Sequence, residues 1–178
     1  VDLGFFYYIL AAVFIVGMVN AVNFTDGIDG LNTSVTLVVA LVFSVIAMLL
    51  NRVGLSLYAA AIVGAMIGFL FWNANPAKVF MGDTGSLFLG GAVCALAFGV
   101  DMPILLILIG IIYIVEILSV VLQVTYFKIS HGKRIFKMAP IHHHFEMCGW
   151  NENKICFVFS GVTLFAGIIG VLLAVFGC

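Results

Sequence analysis

The polar segment Asn20-Ala-Val-Asn-Phe-Thr-Asp-Gly-Ile-Asp-Gly30 contains the residue types and spacing best suited to chemistry. It places the carboxylates of Asp26 and Asp29 among two carboxamides, a hydroxyl and two glycines, between two long apolar runs. Polar groups beside hydrocarbon are costly unless they have partners. Such groups could recognise a polar head group or support a metal ion. If a helix begins at Gly30, the two carboxylates could instead cap its N-terminus, and that structural interpretation stays open.

A second polar segment, residues 73–86, contains Asp83 between Gly82 and Gly85. The glycines are expected to expose this carboxylate and the backbone amides that follow it. A hard oxygen ligand beside a helix N-terminus suits an arrangement of Mg²⁺ and phosphate. Phe80 is placed to stack on a flat base. Alternatively, Asp83 caps the next helix and Phe80 is an interfacial anchor, and one aspartate alone does not make a metal site.

The third polar segment, residues 128–154, contains a run of three histidines, His142, His143 and His144. Zinc favours imidazole, but ligands on adjacent residues converge poorly on one ion, and the sequence has no CxxC or HExxH motif. Binding of phosphate, or positioning of a diphosphate, is therefore favoured over zinc. The basic residues before the histidines are also typical of a topology determinant or a contact with anionic lipid. From Pro140 onward, the aromatic and polar residues indicate a short amphipathic helix at the interface.

The composition indicates which elements must position these segments. Of the 178 residues, 65% are hydrophobic and 8% are charged, whereas soluble domains are about 45–50% apolar. Continuous apolar runs favour helices over a β-barrel, so we predict an all-α, integral-membrane bundle formed by residues 1–178 as one domain. Six segments are long enough to span a bilayer: Leu3–Val19, Leu31–Leu50, Leu55–Trp72, Leu87–Val100, Pro103–Phe127 and Ile155–Phe176.

Loop charge predicts the orientation. The three polar segments, residues 20–30, 73–86 and 128–154, alternate with two tight turns that contain Arg52 and Asp101. Cytoplasmic loops are enriched in Lys and Arg, so the polar segments are expected on the cytoplasmic face and the C-terminus outside. Only Arg52 lies on the side of the tight turns. Six cations lie on the side of the polar segments: Lys78, Lys128, Lys133, Arg134, Lys137 and Lys154. The net charge of −1 gives no indication of a nucleic-acid partner.

Two features inside the spans need explanation. Glu116 lies mid-span near Gln123, so it needs a structural partner in the bundle or a functional role. Gly64 and Gly68 form a GxxxG pattern, which predicts close helix packing within the chain, with a dimer contact as the alternative. The four cysteines form no CxxC pair, and those in apolar runs are interpreted as small hydrophobic residues.

Three motifs, in this order and spacing, resemble the bacterial phospho-N-acetylmuramoyl-pentapeptide transferases, a branch of the polyprenyl-phosphate N-acetylhexosamine-1-phosphate transferase superfamily. They are the segment of residues 20–30, Phe80-Met-Gly-Asp-Thr-Gly-Ser86 and Pro140-Ile-His-His-His-Phe-Glu146. The first two resemble the wider superfamily, and the third looks specific to the muramoyl-pentapeptide branch. The resemblance covers essentially the whole chain.

The resemblance implies an activity. Members transfer phospho-MurNAc-pentapeptide from UDP-MurNAc-pentapeptide to undecaprenyl phosphate, giving lipid I and UMP, with Mg²⁺ as cofactor. This is the first membrane step of peptidoglycan synthesis, at the cytoplasmic face of the bacterial plasma membrane. A homodimer is an expectation from the family only.

The resemblance also implies roles for residues. Asp83 would bind Mg²⁺, Phe80 would stack on uracil, and the three histidines would lie by the donor's diphosphate or muramoyl portion. The candidate catalytic residues are Asp26, Asp29, Asp83 and His142. The candidate substrate-binding residues are Asn20, Asn23, Gly27, Asn73, Phe80, His143 and His144.

One departure from the family concerns length. The family has ten spans and an adjacent pair of aspartates early in the chain, whereas this sequence has six spans and no Asp-Asp pair. The chain also begins at Val1 and enters an apolar run directly, so we interpret it as the C-terminal part of a longer protein. The missing aspartates are the family's candidates for the general base and further metal ligands. The residues of this sequence therefore do not identify the general base.

Three other functions remain as alternatives. A paralogous enzyme would use UDP-GlcNAc as the donor, which the histidine run argues against. A transporter would use Asp26, Asp29 and Glu116, but nearly all the charges cluster at one face instead of lining a path. A structural subunit would leave the chemistry to a second chain that contains the Asp-Asp pair.

Overall fold

The computed structural model describes residues 4–177, and within that range the chain is helical with no strand. This confirms the predicted all-α class. Eight helices follow one another in the described part of the chain: α1 Phe5–Phe24, α2 Leu31–Leu49, α3 Val53–Asn73, α4 Gly82–Gly99, α5 Leu105–Ile109, α6 Ile111–Ile129, α7 Ile141–Glu146 and α8 Glu152–Phe176. The predicted start of the first span, at Leu3, lies outside the described residues.

Six of these helices, α1, α2, α3, α4, α6 and α8, are long and apolar enough to cross a membrane. The hydrocarbon core of a bilayer contains no water to bond with exposed backbone groups. A segment that crosses it as a helix satisfies its own N–H and C=O groups. The chain is therefore a multi-pass membrane protein. The short α7 lies within the segment predicted to form an amphipathic helix.

The helices extend further into the polar segments than the sequence predicted. α1 continues to Phe24, so Asn20 and Asn23 are helical residues and not loop residues. α4 begins at Gly82, five positions before the predicted start at Leu87, and this places Asp83 in its first turn. Continuation of a helix satisfies backbone groups locally, even where the side chains become polar.

The predicted fifth span, Pro103–Phe127, is wrong as a single helix. It consists of the short α5 and the long α6, which are separated at Gly110. A Cβ at position 110 would lie 2.7 Å from the carbonyl oxygen of Leu106 and 3.0 Å from the ring of Tyr113. Only glycine fits this crowded break, and glycine is also a weak helix former. The break lets α5 pack on α8 while α6 packs on α1.

The close helix contacts lie elsewhere than predicted. α2 is the central helix and packs on α3 and α8, while α1 packs on α4. A Cβ at Gly90 of α4 would lie 2.6 Å from the Cα of Val19 in α1, so the two backbones nearly touch there. The prediction that Gly64 and Gly68 pack within the chain is wrong for the described residues, because no neighbouring atom lies within 4 Å of a Cβ at either position.

The two tight turns meet at one end of the bundle, where Arg52 donates to Asp101 over 2.8 Å. The three polar segments meet at the opposite end. There Asn23 contacts Asp83, and the backbone N–H of Asp29 donates to Glu152 at 2.8 Å. The fold therefore collects the predicted functional segments at one end of the bundle.

Candidate active site

Asn23, at the end of α1, joins the first polar segment to the second. Its side-chain amide donates to the carboxylate of Asp83 at 3.1 Å and lies 2.8 Å from the hydroxyl of Ser86. Asp83 is exposed in the first turn of α4, where the helix dipole favours a negative charge. Asn23 therefore orients a carboxylate whose remaining lone pairs face an open surface. The sequence did not indicate a role for Ser86, although its place three residues after Asp83 puts it on the adjacent turn.

Asp26 is close enough to Asp83 for their charges to interact. Burial raises the pKa of the Asp26 carboxyl above its ordinary value of 3.8, the backbone N–H of Gly82 opposes this by donating to the carboxylate, and the negative charge of Asp83 raises it further. Two neighbouring carboxylates repel each other unless a proton or a cation lies between them. This pair is thus an electronegative site that favours a cation.

Carboxylate oxygens are the ligands that Mg²⁺ prefers, and Mg²⁺ commonly takes one or two of them and keeps several waters. Asp26 and Asp83 fit that requirement. Within residues 4–177 there is no group of three or more His, Cys, Asp or Glu side chains placed to hold a metal ion. Further ligands would therefore come from substrate phosphates, water or another part of the protein.

Asp29 is held apart from the Asp26 and Asp83 pair. Its carboxylate accepts from the backbone N–H of Ala77 at 2.8 Å and from the side chain of Asn75 at 3.3 Å. Its backbone N–H donates to Glu152, and its carbonyl lies 3.3 Å from the thiol of Cys156. In this arrangement Asp29 ties the first polar segment to the second and to α8.

The remaining predicted substrate residues of the first two segments lie in different environments. Asn73 is buried, donating to the carbonyl of Val79 at 3.1 Å and accepting from the hydroxyl of Thr33. Asn20 is exposed and donates to the carbonyl of Val16 one turn earlier. The ring of Phe80 is 72% exposed and free to stack on a ligand. Of these three, Phe80 presents the most available surface.

The three histidines have three different partners. His143 pairs with Glu146 one turn later, whereas Nδ1 of His144 accepts from the backbone N–H of Lys137 at 3.1 Å. His142 is fully buried, and its Nδ1 lies 3.0 Å from Oε2 of Glu116. The rings of His142 and His143 lie against each other with centroids 4.2 Å apart, whereas the ring of His144 packs edge-on against Phe136.

Glu116 has the bundle partner that the sequence required, although that partner is not the nearby Gln123. The side-chain amide oxygen of Gln123 accepts from the backbone N–H groups of Ile135 and Phe136, at 3.1 and 2.9 Å. The sequence predicted that Glu116 needs a partner, because a mid-span carboxylate needs a cationic or polar group beside it. It did not identify His142 as that partner.

Comparison with known proteins gives a family match and similar named proteins. Residues 1–101 match the family described as glycosyl transferase family 4. A phospho-N-acetylmuramoyl-pentapeptide-transferase of Clostridium perfringens (strain SM101) is 55% identical over 164 residues, covering 92% of this chain and 50% of the relative. The same-named protein of Listeria monocytogenes serotype 4b (strain CLIP80459) is 49% identical over 176 residues, covering 99% of this chain and 54% of the relative.

These relatives confirm the resemblance seen in the three motifs, and the chain spans about half the length of the curated relatives it matches. The family match covers residues 1–101, which include α1 to α4 and both carboxylates of the Asp26 and Asp83 pair. Because that match extends over more than half of the 178 residues, the chain belongs to glycosyl transferase family 4.

Proposed function

We propose that the protein containing this chain transfers phospho-MurNAc-pentapeptide from UDP-MurNAc-pentapeptide to undecaprenyl phosphate, giving lipid I and UMP. The observation that supports this most is the meeting of Asn23, Asp26 and Asp83 at one end of a membrane bundle, next to the histidine run. The printed names of relatives about 50% identical support the same activity. Since those relatives are about twice as long, we also propose that this chain is the C-terminal part of a longer polypeptide.

The site suits one soluble and one membrane-bound substrate. We propose that it faces the cytoplasm of a bacterial plasma membrane, because most cations of the chain lie in or beside the polar segments. A nucleotide sugar would then approach from water while undecaprenyl phosphate approaches along the bilayer, and the C-terminus would lie outside. A homodimer would be compatible with this arrangement.

Phosphoryl transfer depends mainly on positioning and on neutralising charge. In the proposed reaction, an oxygen of undecaprenyl phosphate attacks the β-phosphorus of the donor, and the bond to UMP breaks. Phe80 would stack on uracil, and Asn23 would hold Asp83 in one orientation throughout. Mg²⁺, held by Asp83 with Asp26 beside it, would neutralise charge on the donor's diphosphate when bound.

The proposed function is tested by measuring UMP release from the full-length protein in detergent with Mg²⁺ and undecaprenyl phosphate. Parallel assays contain either UDP-MurNAc-pentapeptide or UDP-GlcNAc. We expect UMP release with UDP-MurNAc-pentapeptide and none with UDP-GlcNAc. Release with UDP-GlcNAc alone would keep the reaction class but replace the donor. No release with either donor, from folded protein, would favour the transporter or the structural subunit.

Asp83→Asn tests the site itself. It should abolish turnover without changing the unfolding temperature, because it removes the negative charge and keeps the size of the side chain. Asp101→Asn is the matched control, since Asp101 lies at the opposite end of the bundle. Unchanged turnover of Asp83→Asn at saturating Mg²⁺ would exclude Asp83 as the metal ligand.

A further inference from the structure

Glu116 and His142 form a pair that is completely enclosed. Both residues have 0% exposed surface, and Nδ1 of the imidazole lies 3.0 Å from Oε2 of the carboxylate. Glu116 is on the long helix α6 and His142 is on the short helix α7, so the pair attaches α7 to the bundle. A buried carboxylate next to hydrocarbon persists only with such a partner.

The other edge of the imidazole faces the first polar segment. A Cβ built at Gly27 would lie 2.2 Å from Nε2 of His142 and 2.6 Å from Cε1, so the backbone of Gly27 covers this edge of the ring. Nε2 is buried and has no hydrogen-bond partner among the described residues, and the same is true of Oε1 of Glu116. A side chain at position 27 would therefore displace the ring, which is held between Glu116 and the Gly27 backbone.

Gly27 directly follows Asp26, whose carboxylate lies beside Asp83 and accepts from the N–H of Gly82. A shift of Gly27 would thus move Asp26 relative to α4. Reacting groups displaced by about 1 Å can lose roughly 100-fold in rate. The ring of His142 lies where it can prevent that shift.

We propose that Glu116 and His142 are positioning residues for the transfer reaction, and that they act by fixing the backbone of Gly27 and, through it, the carboxylate of Asp26. This inference rests on the proposed function for its catalytic readout. Oε2 of Glu116 lies within hydrogen-bond distance of Nδ1, so the contact with Glu116 fixes the plane of the ring and favours the imidazole form with hydrogen on Nδ1. The covered Nε2 edge then supports the loop and does not contact the donor.

A double-mutant cycle between Gly27→Ala and His142→Asn in the full-length protein tests the contact. Asparagine can still donate to Glu116 but lacks the ring atoms that a methyl group at position 27 would meet. Each single variant should lower kcat at least about tenfold with little change in the KM for the donor, and the double variant should be no worse than His142→Asn. Gly161→Ala is the control, because no neighbouring atom lies within 4 Å of a Cβ there.

Glu116→Gln and Glu116→Met test the other half of the pair. Glutamine keeps an acceptor for Nδ1–H and should retain most of kcat, whereas methionine should lower kcat as much as His142→Asn does. Effects of Gly27→Ala and His142→Asn that multiply would overturn the proposal. A main effect on the KM for the donor would also overturn it, since that outcome means His142 contacts substrate.

The cycle is also measured by thermal unfolding, which separates this inference from the proposed function. If the wild-type protein releases no UMP with any donor, the proposed function fails. Coupling between Gly27→Ala and His142→Asn in the unfolding temperature would still support the contact. Additive shifts in the unfolding temperature would overturn it, whatever the activity.

Discussion

A methyl group at Gly90 would separate the two helices that bring Asn23 to Asp83. The added Cβ would lie 2.6 Å from the Cα of Val19 and 3.0 Å from its carbonyl oxygen. Nonbonded carbon atoms prefer a separation of about 3.5–4.0 Å. The atoms that the methyl group meets are backbone atoms of α1, which no rotamer change can remove. Gly90→Ala should therefore push α1 and α4 apart by roughly 1 Å.

The energetic cost follows from that collision. Overpacking of a tight interface costs about 1–3 kcal/mol, while alanine gains roughly 1 kcal/mol over glycine inside a helix. Gly91→Ala receives the same gain without the collision, because no neighbouring atom lies within 4 Å of a Cβ at Gly91. The difference in unfolding free energy between the two variants should thus equal the collision term, at about 1–3 kcal/mol.

The catalytic consequence is also measurable. Val19 lies about one turn before Asn23, whose amide donates to Asp83 over 3.1 Å. A separation of roughly 1 Å would take this distance beyond the range of a hydrogen bond. Hydrogen bonds to charged groups contribute about 1.5–3 kcal/mol, which corresponds to roughly 10–150-fold in kcat.

The assay compares Gly90→Ala, Gly91→Ala and the wild type as full-length proteins in detergent. Thermal unfolding gives the relative stability, and UMP release gives kcat. If Gly90→Ala matched Gly91→Ala in both measurements, the close backbone contact and its role in placing Asn23 would be refuted.

Three further predictions concern single side chains. Asp26→Asn should stabilise the metal-free protein above the raised pKa of Asp26, because burial and a neighbouring negative charge penalise the ionised carboxyl; thermal unfolding against pH, with a chelator present, measures this. Thr33→Val should cost about 1–3 kcal/mol of unfolding free energy, because it leaves the buried side-chain amide oxygen of Asn73 without its donor; Thr33→Ser is the control. Arg52→Ala should change stability by about 0–1 kcal/mol and leave UMP release unchanged, because its ion pair with Asp101 is exposed.

Each of these has a contrary outcome. The contribution of Asp26 to the free energy of unfolding is fully present below the ordinary carboxyl pKa. Because the pKa of Asp26 is raised, this contribution is lost as pH rises through the raised value. An advantage of Asp26→Asn that grew toward acid pH would contradict that sign. Equal losses from Thr33→Val and Thr33→Ser would show that the hydroxyl has no role. Loss of UMP release in Arg52→Ala would mean that the far end of the bundle influences the site.

The membrane class and the number of spans could be predicted from sequence, because a bilayer requires about 20 apolar residues for each helix wherever the neighbouring helices lie. The polar segments around Asp26 and Asp83 could also be predicted as functional, since polar groups beside hydrocarbon are costly unless they have partners or a function. The first span was predicted to end at Val19, where the side chains become polar, but Asn20 to Phe24 contain neither glycine nor proline, so no strong stop signal ends α1 there.

Tertiary structure alone separated residues that look alike in sequence. Asp26 and Asp29 are three positions apart, yet one lies beside Asp83 and the other is tied to Ala77. His142 is set apart from its two neighbours by its complete burial against Glu116, 26 positions earlier in the chain. The physical reason is the same in both cases. A residue's type and its local spacing are properties of the sequence, whereas the partner of a side chain depends on which distant helix the fold brings against it.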